Sequence, residues 1–268
     1  MKRLIATAAN SKVERFMLEH WFAPLRASVD LDGIDVLVVD YGLSGEVREE
    51  LSAQKVIVFE GVVRGHVVNA RFLDLARFLE RNEYGRVLLC DSGDLIFQSD
   101  ISCLLDGSSN CFQAMRDPVV INNQIFGVGD IPRGEHIRLL RKYASTPMVN
   151  AGVIVGPPAC FVSFARFLED STRSLRAYGT DQLLLSSFVD QYGLSELDRM
   201  YNWMPLYFTD FTVDHGVVLH DGMPIPIVHN AGWRDGLRAF KRFGYGPDNN
   251  EFRERLTKMI RRTYREVS

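Results

Sequence analysis

Hydrophobic and polar positions along the chain alternate between two periods. Short continuous apolar runs at residues 4–8, 34–39, 56–59 and 87–90 read as strands buried on both faces. Helical spacing fills the gaps between them. Phe16, Met17, His20 and Trp21 share one stripe, and Asn10 or Ser11 is placed to cap that helix. Ser44 is placed to cap a short helix through Leu51. Phe72, Leu75, Ala76 and Leu79 mark one face of a helix over 69–81. Strand, helix and strand in repetition predict an α/β fold, with a mainly parallel sheet flanked by helices.

The second half is less regular. Strands are predicted at 111–115, 153–155, 217–219 and 225–229, and helices at 135–143, 159–175 and 181–192. The tail over 251–267 reads as a helix with Phe252, Leu256, Met259, Ile260 and Tyr264 on one stripe. Its polar face carries Arg253, Arg255, Lys258, Arg261, Arg262 and Arg265 against Glu251, Glu254 and Glu266. Such a basic amphipathic helix either packs its stripe on the body or lies on an anionic membrane. The chain shows no repeat, low-complexity segment or linker. The expected organisation is one domain over 1–246 and a C-terminal basic amphipathic helix over 247–268.

Composition narrows the class. Of 268 residues, 46% are hydrophobic and 24% charged, an ordinary globular balance. The net charge of −3 carries no basic excess, so nucleic acid is not an expected partner. The apolar run after Lys2 and Arg3 stops at Asn10, too short for a signal peptide, and no run approaches a membrane span. The expected location is cytoplasmic, with the basic tail as a route to peripheral contact with the inner membrane face. Cys90, Cys103, Cys111 and Cys160 form no CxxC pair and have no histidine cluster near them, so they read as buried free thiols rather than a zinc site.

Candidate chemistry starts at the end of the fourth strand, where Asp91 and Asp94 follow an apolar run without a spacer. Ligands of open α/β sheets bind outside the carboxyl ends of strands. Two carboxylates there need neutralising, and a hard divalent cation with bound diphosphate oxygens does so.

The segment Val87-Leu88-Leu89-Cys90-Asp91-Ser92-Gly93-Asp94-Leu95-Ile96-Phe97-Gln98 resembles the DxD region of GT-A glycosyltransferases, most of all glycosyltransferase family 8 and its Asp-Ser-x-Asp variants. The spacing departs from Asp-x-Asp by one residue, and the residues after Asp94 fit the pattern best. Asn150-Ala151-Gly152, Asp181-Gln182 and His229-Asn230-Ala231-Gly232-Trp233 are similar to later motifs of the same families, in the same order. The resemblance covers roughly residues 4–233 and implies a GT-A (nucleotide-diphospho-sugar transferase) fold.

It further implies a hexosyltransferase-like enzyme. A metal, Mn²⁺ or Mg²⁺, would be held by Asp91, Asp94 and His229, with imidazole favouring Mn²⁺. The donor, a UDP-sugar for preference, would meet Ala6, Thr7 and Ala8 at its base. Arg71, Asp91, Ser92, Asn150, Ala151, Gly152, Asn230 and Gly232 would bind its phosphates and sugar. Asp181 and Gln182 would sit beside the anomeric carbon in catalytic roles. The acceptor would be a saccharide, lipid-linked or protein hydroxyl, with retention of configuration. Asn202-Trp203 is a weaker echo of the family pattern, and Asp117, Asp130 and Asp210 receive no role.

Two alternatives share the fold. A sugar-1-phosphate nucleotidyltransferase normally opens with a glycine-rich phosphate loop, whereas this chain reads Ala8-Ala9-Asn10-Ser11-Lys12. A non-catalytic nucleotide-sugar-binding protein is kept open by the stretched Asp91–Asp94 spacing.

Overall fold

The computed structural model describes residues 1–120, 125–232 and 235–265. Trp233, Glu266 and Val267 lie outside them, as do the side chains of Tyr264 and Arg265.

The strands are β1 (Arg3–Ala9), β2 (Ile34–Asp40), β3 (Ile57–Glu60), β4 (Arg86–Cys90), β5 (Leu95–Phe97), β6 (Phe112–Arg116), β7 (Val149–Gly156) and β8 (Leu194–Glu196), then β9 (Thr212–Asp214), β10 (Val217–His220), β11 (Met223–Pro224), β12 (Ile227–His229), β13 (Phe240–Lys241) and β14 (Glu251–Phe252). Seven of them form the central sheet, in the order β3-β2-β1-β4-β7-β6-β8. Only β7 is reversed, pairing antiparallel with both β4 and β6. Successive side chains along a strand point to opposite faces. Leu4, Leu37, Val39, Val87, Leu89 and Ile154 therefore enter one hydrophobic layer, and Ile5, Val36, Val38, Leu88, Cys90 and Val153 enter the other. Burial on both faces is why these strands read as continuous apolar runs.

Three helices cover the first layer: α4 (Val67–Leu79), α6 (Pro158–Ser171) and α7 (Thr180–Tyr192). Phe72 meets Phe164 edge-on at 4.8 Å, and Phe112 meets Phe161 at 4.8 Å. Such pairs add about 0.5–1.5 kcal/mol each beyond their buried area. After α1 (Glu14–Phe16), the second layer is covered by a π-helical turn (Met17–Phe22), α2 (Ala23–Ser28) and α3 (Gly45–Ala53), completed by β5. Ser44 caps α3 as expected, its hydroxyl accepting from Val47 N.

A third apolar cluster, with Trp203, Val218, Ile225, Val228 and Phe240, lies under the small sheet β11-β10-β9. Two further α-helices among the described residues are α5 (Arg133–Lys142) and α8 (Glu254–Arg265). Among the described residues, no helix is long and apolar enough to cross a membrane.

Several expectations need correction. Neither Asn10 nor Ser11 caps the first helix. Asn10 instead closes a turn on Lys12 N, and the helix begins at Glu14. Pro24 cannot donate to the preceding turn, and the helix widens before it. The strand expected from residue 153 begins at Val149, because Arg116 of β6 pairs with Val149 beyond a bulge. Asn150, Ala151 and Gly152 thus lie inside the strand, not in a loop leading to it. The helix expected over 159–175 ends at Ser171.

The C-terminal helix starts at Glu254, not 251, since Glu251 and Phe252 pair with Lys241 and Phe240. Phe252 packs on Phe211 and Phe240, whereas Met259 of the predicted stripe is 58% exposed. Of the four thiols only Cys90 is buried, and Cys103 is exposed.

Candidate functional site

The carboxylates are delivered by two pairings. Asp91 continues the β4–β7 ladder, its N–H donating to Gly152 O at 2.9 Å. Ser92 and Gly93 then turn the chain, and the Ser92 hydroxyl donates to Ala8 O. Asp94 leads straight into β5, which pairs antiparallel with β12 so that Leu95 faces His229. Asn230 N–H donates to Asp94 O at 2.8 Å, closing the ladder beside the site. The extra residue between the aspartates is absorbed by the turn. One ligand atom from each of Asp91, Asp94 and His229 lies within 4.8 Å of the others. His229 Nε2 stands 3.7 Å from Asp91 Oδ2 and 3.6 Å from Asp94 Oδ1.

The histidine is buried and held from behind, where its Nδ1 lies 2.9 Å from Asn202 Oδ1. That contact is a hydrogen bond when Nδ1 carries the proton, which leaves the Nε2 lone pair facing the carboxylates. Two oxygens and one imidazole nitrogen, converging with the lone pair turned inward, fit a divalent cation of the Mn²⁺ or Mg²⁺ kind. Burial opposes charge on His229, but Asp94 and Asp91 outweigh it and its pKa is raised. Burial likewise disfavours the Asp94 carboxylate, but His229 and Arg238 hold its pKa below the ordinary value.

Arginines bracket the cluster. Arg71, nearly fully buried on α4, pairs with Asp91, donates to Ala151 O at 2.8 Å and lies 3.8 Å from Asp181. On the other side Arg238 lies 3.0 Å from Asp94 Oδ2. A buried cation between carboxylates offsets part of the cost of gathering them.

Asp181 opens α7. Neither Asp181 nor Thr180 caps that helix. The cap position is Gly179, whose φ of 74° suits a residue without Cβ, and the Thr180 hydroxyl donates to Asp130. Asp181 N–H donates to Asn69 Oδ1 at 3.0 Å. Burial pushes the Asp181 carboxyl up to about 6, against the pull of Arg71.

The cleft is lined by Arg71, Asp91, Asp94, Asn150, Ala151, Gly152, Asp181, Gln182, His229 and Gly232, with Val68, Tyr178, Gly179 and Ala231 around them. Five predicted positions do not line it: Ala6, Thr7, Ala8, Ser92 and Asn230. Ala6 and Thr7 have no exposed surface, being central-sheet residues, and the Thr7 hydroxyl is spent on Cys90 O. Of that trio only Ala8 is partly exposed. Asn230 uses both halves of its amide on the Phe240 backbone. The Ser92 side chain is also turned inward, onto Ala8.

Gly152 meets protein where a ligand was expected. A Cβ there would lie 2.2 Å from His229 Cε1. Gly232 accommodates Arg238 in the same way, at 2.9 Å from its Cγ.

Sequence reasoning missed Arg238 and Tyr178 and gave Asp117 no role. Asp117 was open to the argument used for Asp91, since it follows β6 directly. Arg238 sits in an irregular segment with no pattern to mark it. Asp130 accepts from Ser174, Arg176 N, Ala177 N and Thr180, and so fastens the segment leading into α7. Asp210 pairs with Arg199 at the surface.

No protein-family model matches the sequence, and no curated protein matches it as a relative. Solved structures match in three dimensions. The galactosyltransferase LgtC, in complex with donor and acceptor sugar analogs, superposes with a TM-score of 0.58 at 17% identity, over 99% of this chain and 100% of LgtC. The apo-form glycosyltransferase GlyE of Streptococcus pneumoniae TIGR4 gives 0.59 at 16% identity, over 98% of this chain and 64% of GlyE. The apo WbbM bifunctional glycosyltransferase gives 0.53 at 17% identity, over 87% of this chain and 46% of WbbM. With its seven-stranded sheet, its one reversed strand and its helices on both faces, this chain has the GT-A fold of glycosyltransferases.

Proposed function

We propose that the protein is a metal-dependent glycosyltransferase that moves a sugar from a nucleoside-diphosphate sugar, a UDP-sugar for preference, to a saccharide hydroxyl. The observation that carries this reading is the convergence of Asp91, Asp94 and His229 at the end of β4, with His229 Nε2 turned inward. The fold supports it, because LgtC was solved with donor and acceptor sugar analogs.

Asp91, Asp94 and His229 would hold Mn²⁺ or Mg²⁺. When bound, such a cation supplies Lewis acidity to the diphosphate that leaves. Arg71 keeps Asp91 and Asp181 in place across the cleft floor. Asp181 and Gln182 face the donor sugar from the start of α7, where hydrogen bonds can orient its hydroxyls.

The acceptor hydroxyl oxygen attacks the anomeric carbon as the bond from that carbon to the diphosphate oxygen breaks. Each carboxylate of the described cleft already has a task. Asp91 and Asp94 form the cation site, Asp181 lies beside Arg71, and both oxygens of nearby Asp117 accept from Asn150 and Gln182. The resemblance to family 8 favours retention, in which the departing phosphate would take the acceptor proton and the new bond would form on the face of the old one.

Screening nucleotide-sugar hydrolysis with Mn²⁺ tests this reading. One donor should be turned over in a Mn²⁺-dependent way, and Asp181→Asn should slow turnover by about 10²-fold or more, as loss of a positioned group does. Nucleotide binding without turnover of any donor would favour a non-catalytic binding protein of the same fold.

A further inference from the structure

Behind His229 runs a line of buried polar side chains that contribute no ligand atom to the cation cluster. Asp117 Oδ1 accepts from Asn150 Nδ2 at 3.1 Å, and Asp117 Oδ2 accepts from Gln182 Nε2 at 2.6 Å. Asn150 Oδ1 accepts from Asn202 Nδ2 at 3.1 Å and from Gly152 N at 2.9 Å. Asn202 Oδ1 faces His229 Nδ1 at 2.9 Å. All four residues from Asp117 to His229 are buried, so a missing partner there is costly.

The line has a direction. An ionised Asp117 only accepts, so Asn150 must present its NH₂ to it. The Gly152 amide only donates, so it independently demands the Asn150 oxygen on the other side. Asn202 must then donate to that oxygen, which leaves its own carbonyl pointing at the histidine. A carbonyl can only accept, and Nδ1 must carry a proton.

We infer that Asn202 is a positioning residue, and that the Asp117–Asn150–Asn202 line fixes His229 in the Nδ1–H tautomer with the Nε2 lone pair aimed at Asp91 and Asp94. Left alone, an imidazole side chain prefers the opposite tautomer, with the proton on Nε2. In that form a donor N–H faces the carboxylates and no nitrogen is offered to a cation. The same line reaches Gln182, so one carboxylate secures a group on the sugar side of the cleft and the histidine on the other.

The experiment reads the tautomer directly. Two-bond ¹H–¹⁵N correlation spectra of metal-free protein, recorded at rising pH until the His229 ring has lost its second proton, should show the neutral ring protonated at Nδ1. Asn202→Leu should move it to the Nε2–H form or a mixture. Asn202→Asp loses the donor to Asn150 Oδ1 but keeps an acceptor facing Nδ1, so the neutral ring should remain Nδ1–H. A wild-type His229 protonated at Nε2, or an Asn202→Leu variant that keeps Nδ1–H, would overturn the inference.

The second readout, Mn²⁺ affinity by electron paramagnetic resonance, rests on the proposed cation site. Asn202→Leu should weaken it about 10–100-fold, the usual effect of removing a partner behind a metal-binding histidine, with Asn202→Asp restoring most of it. If wild-type protein shows Nδ1–H but binds no Mn²⁺, the line stands and the metal reading fails.

Discussion

Gly152 marks the tightest point of the site. A Cβ there would press on His229 Cε1 at 2.2 Å, His229 Nδ1 at 2.8 Å and Asn150 Oδ1 at 2.9 Å. The ring is held by Asn202 and the amide by Asp117, so neither can retreat cheaply. Gly152→Ala should lower stability by about 1–3 kcal/mol, as overpacking does, and should weaken Mn²⁺ binding. Urea midpoints and Mn²⁺ titration of the variant check both, and wild-type values for both would mean that the ring is less constrained than its contacts indicate. The His229 proton sets the pH response. Its pKa is raised, and a protonated imidazole offers no lone pair. As pH rises through that raised value the proton leaves, so Mn²⁺ affinity should climb at pH values above the ordinary imidazole pKa of about 6.5. Isothermal titration at several pH values checks this, and an affinity that stays flat or falls would remove His229 from the ligand set.

At the scale of elements, the short antiparallel pair β5–β12 decides whether His229 reaches the aspartates. Gln98, just past β5, clasps the neighbouring hairpin. Its amide donates to Val218 O and Ile225 O and accepts from Val218 N. Gln98→Ala removes three hydrogen bonds; Val218 O keeps the Ile225 N–H, while Val218 N and Ile225 O lose the Gln98 amide, at about 1–3 kcal/mol for each that stays buried and unsatisfied. Guanidinium denaturation should show the loss, and an unchanged midpoint would mean that the clasp carries no load. Strands buried on both faces and the Ser44-capped helix were legible in the sequence, because each carries its own local signal. β5 was not, because three residues show no period. The beginning of β7 was not either, since the bulged pairing of Val149 with Arg116 is a matter of tertiary contact. Asp91, Asp94 and His229 were legible as residue types at strand ends. Arg238 and the Asn202–Asn150 link were not, because that link spans 52 residues of chain and nothing local announces it.

At the scale of the molecule, the sheet order brings distant segments to one edge. β4 and β7 are neighbours although 58 residues separate Cys90 from Val149, counting from the strand bounds. That adjacency sets Asp91 beside Gly152, and the β5–β12 ribbon then folds His229 over both. The central claim is that this convergence is a cation site for a nucleoside diphosphate, and thermal unfolding with UDP and Mn²⁺ tests it most directly. Together the two ligands should raise the melting temperature of the wild-type protein well above the effect of either alone, since each helps to bind the other. Asp94→Asn should abolish that joint gain while remaining folded. A joint gain that survives undiminished in Asp94→Asn, or that is absent from the wild type, would contradict the account.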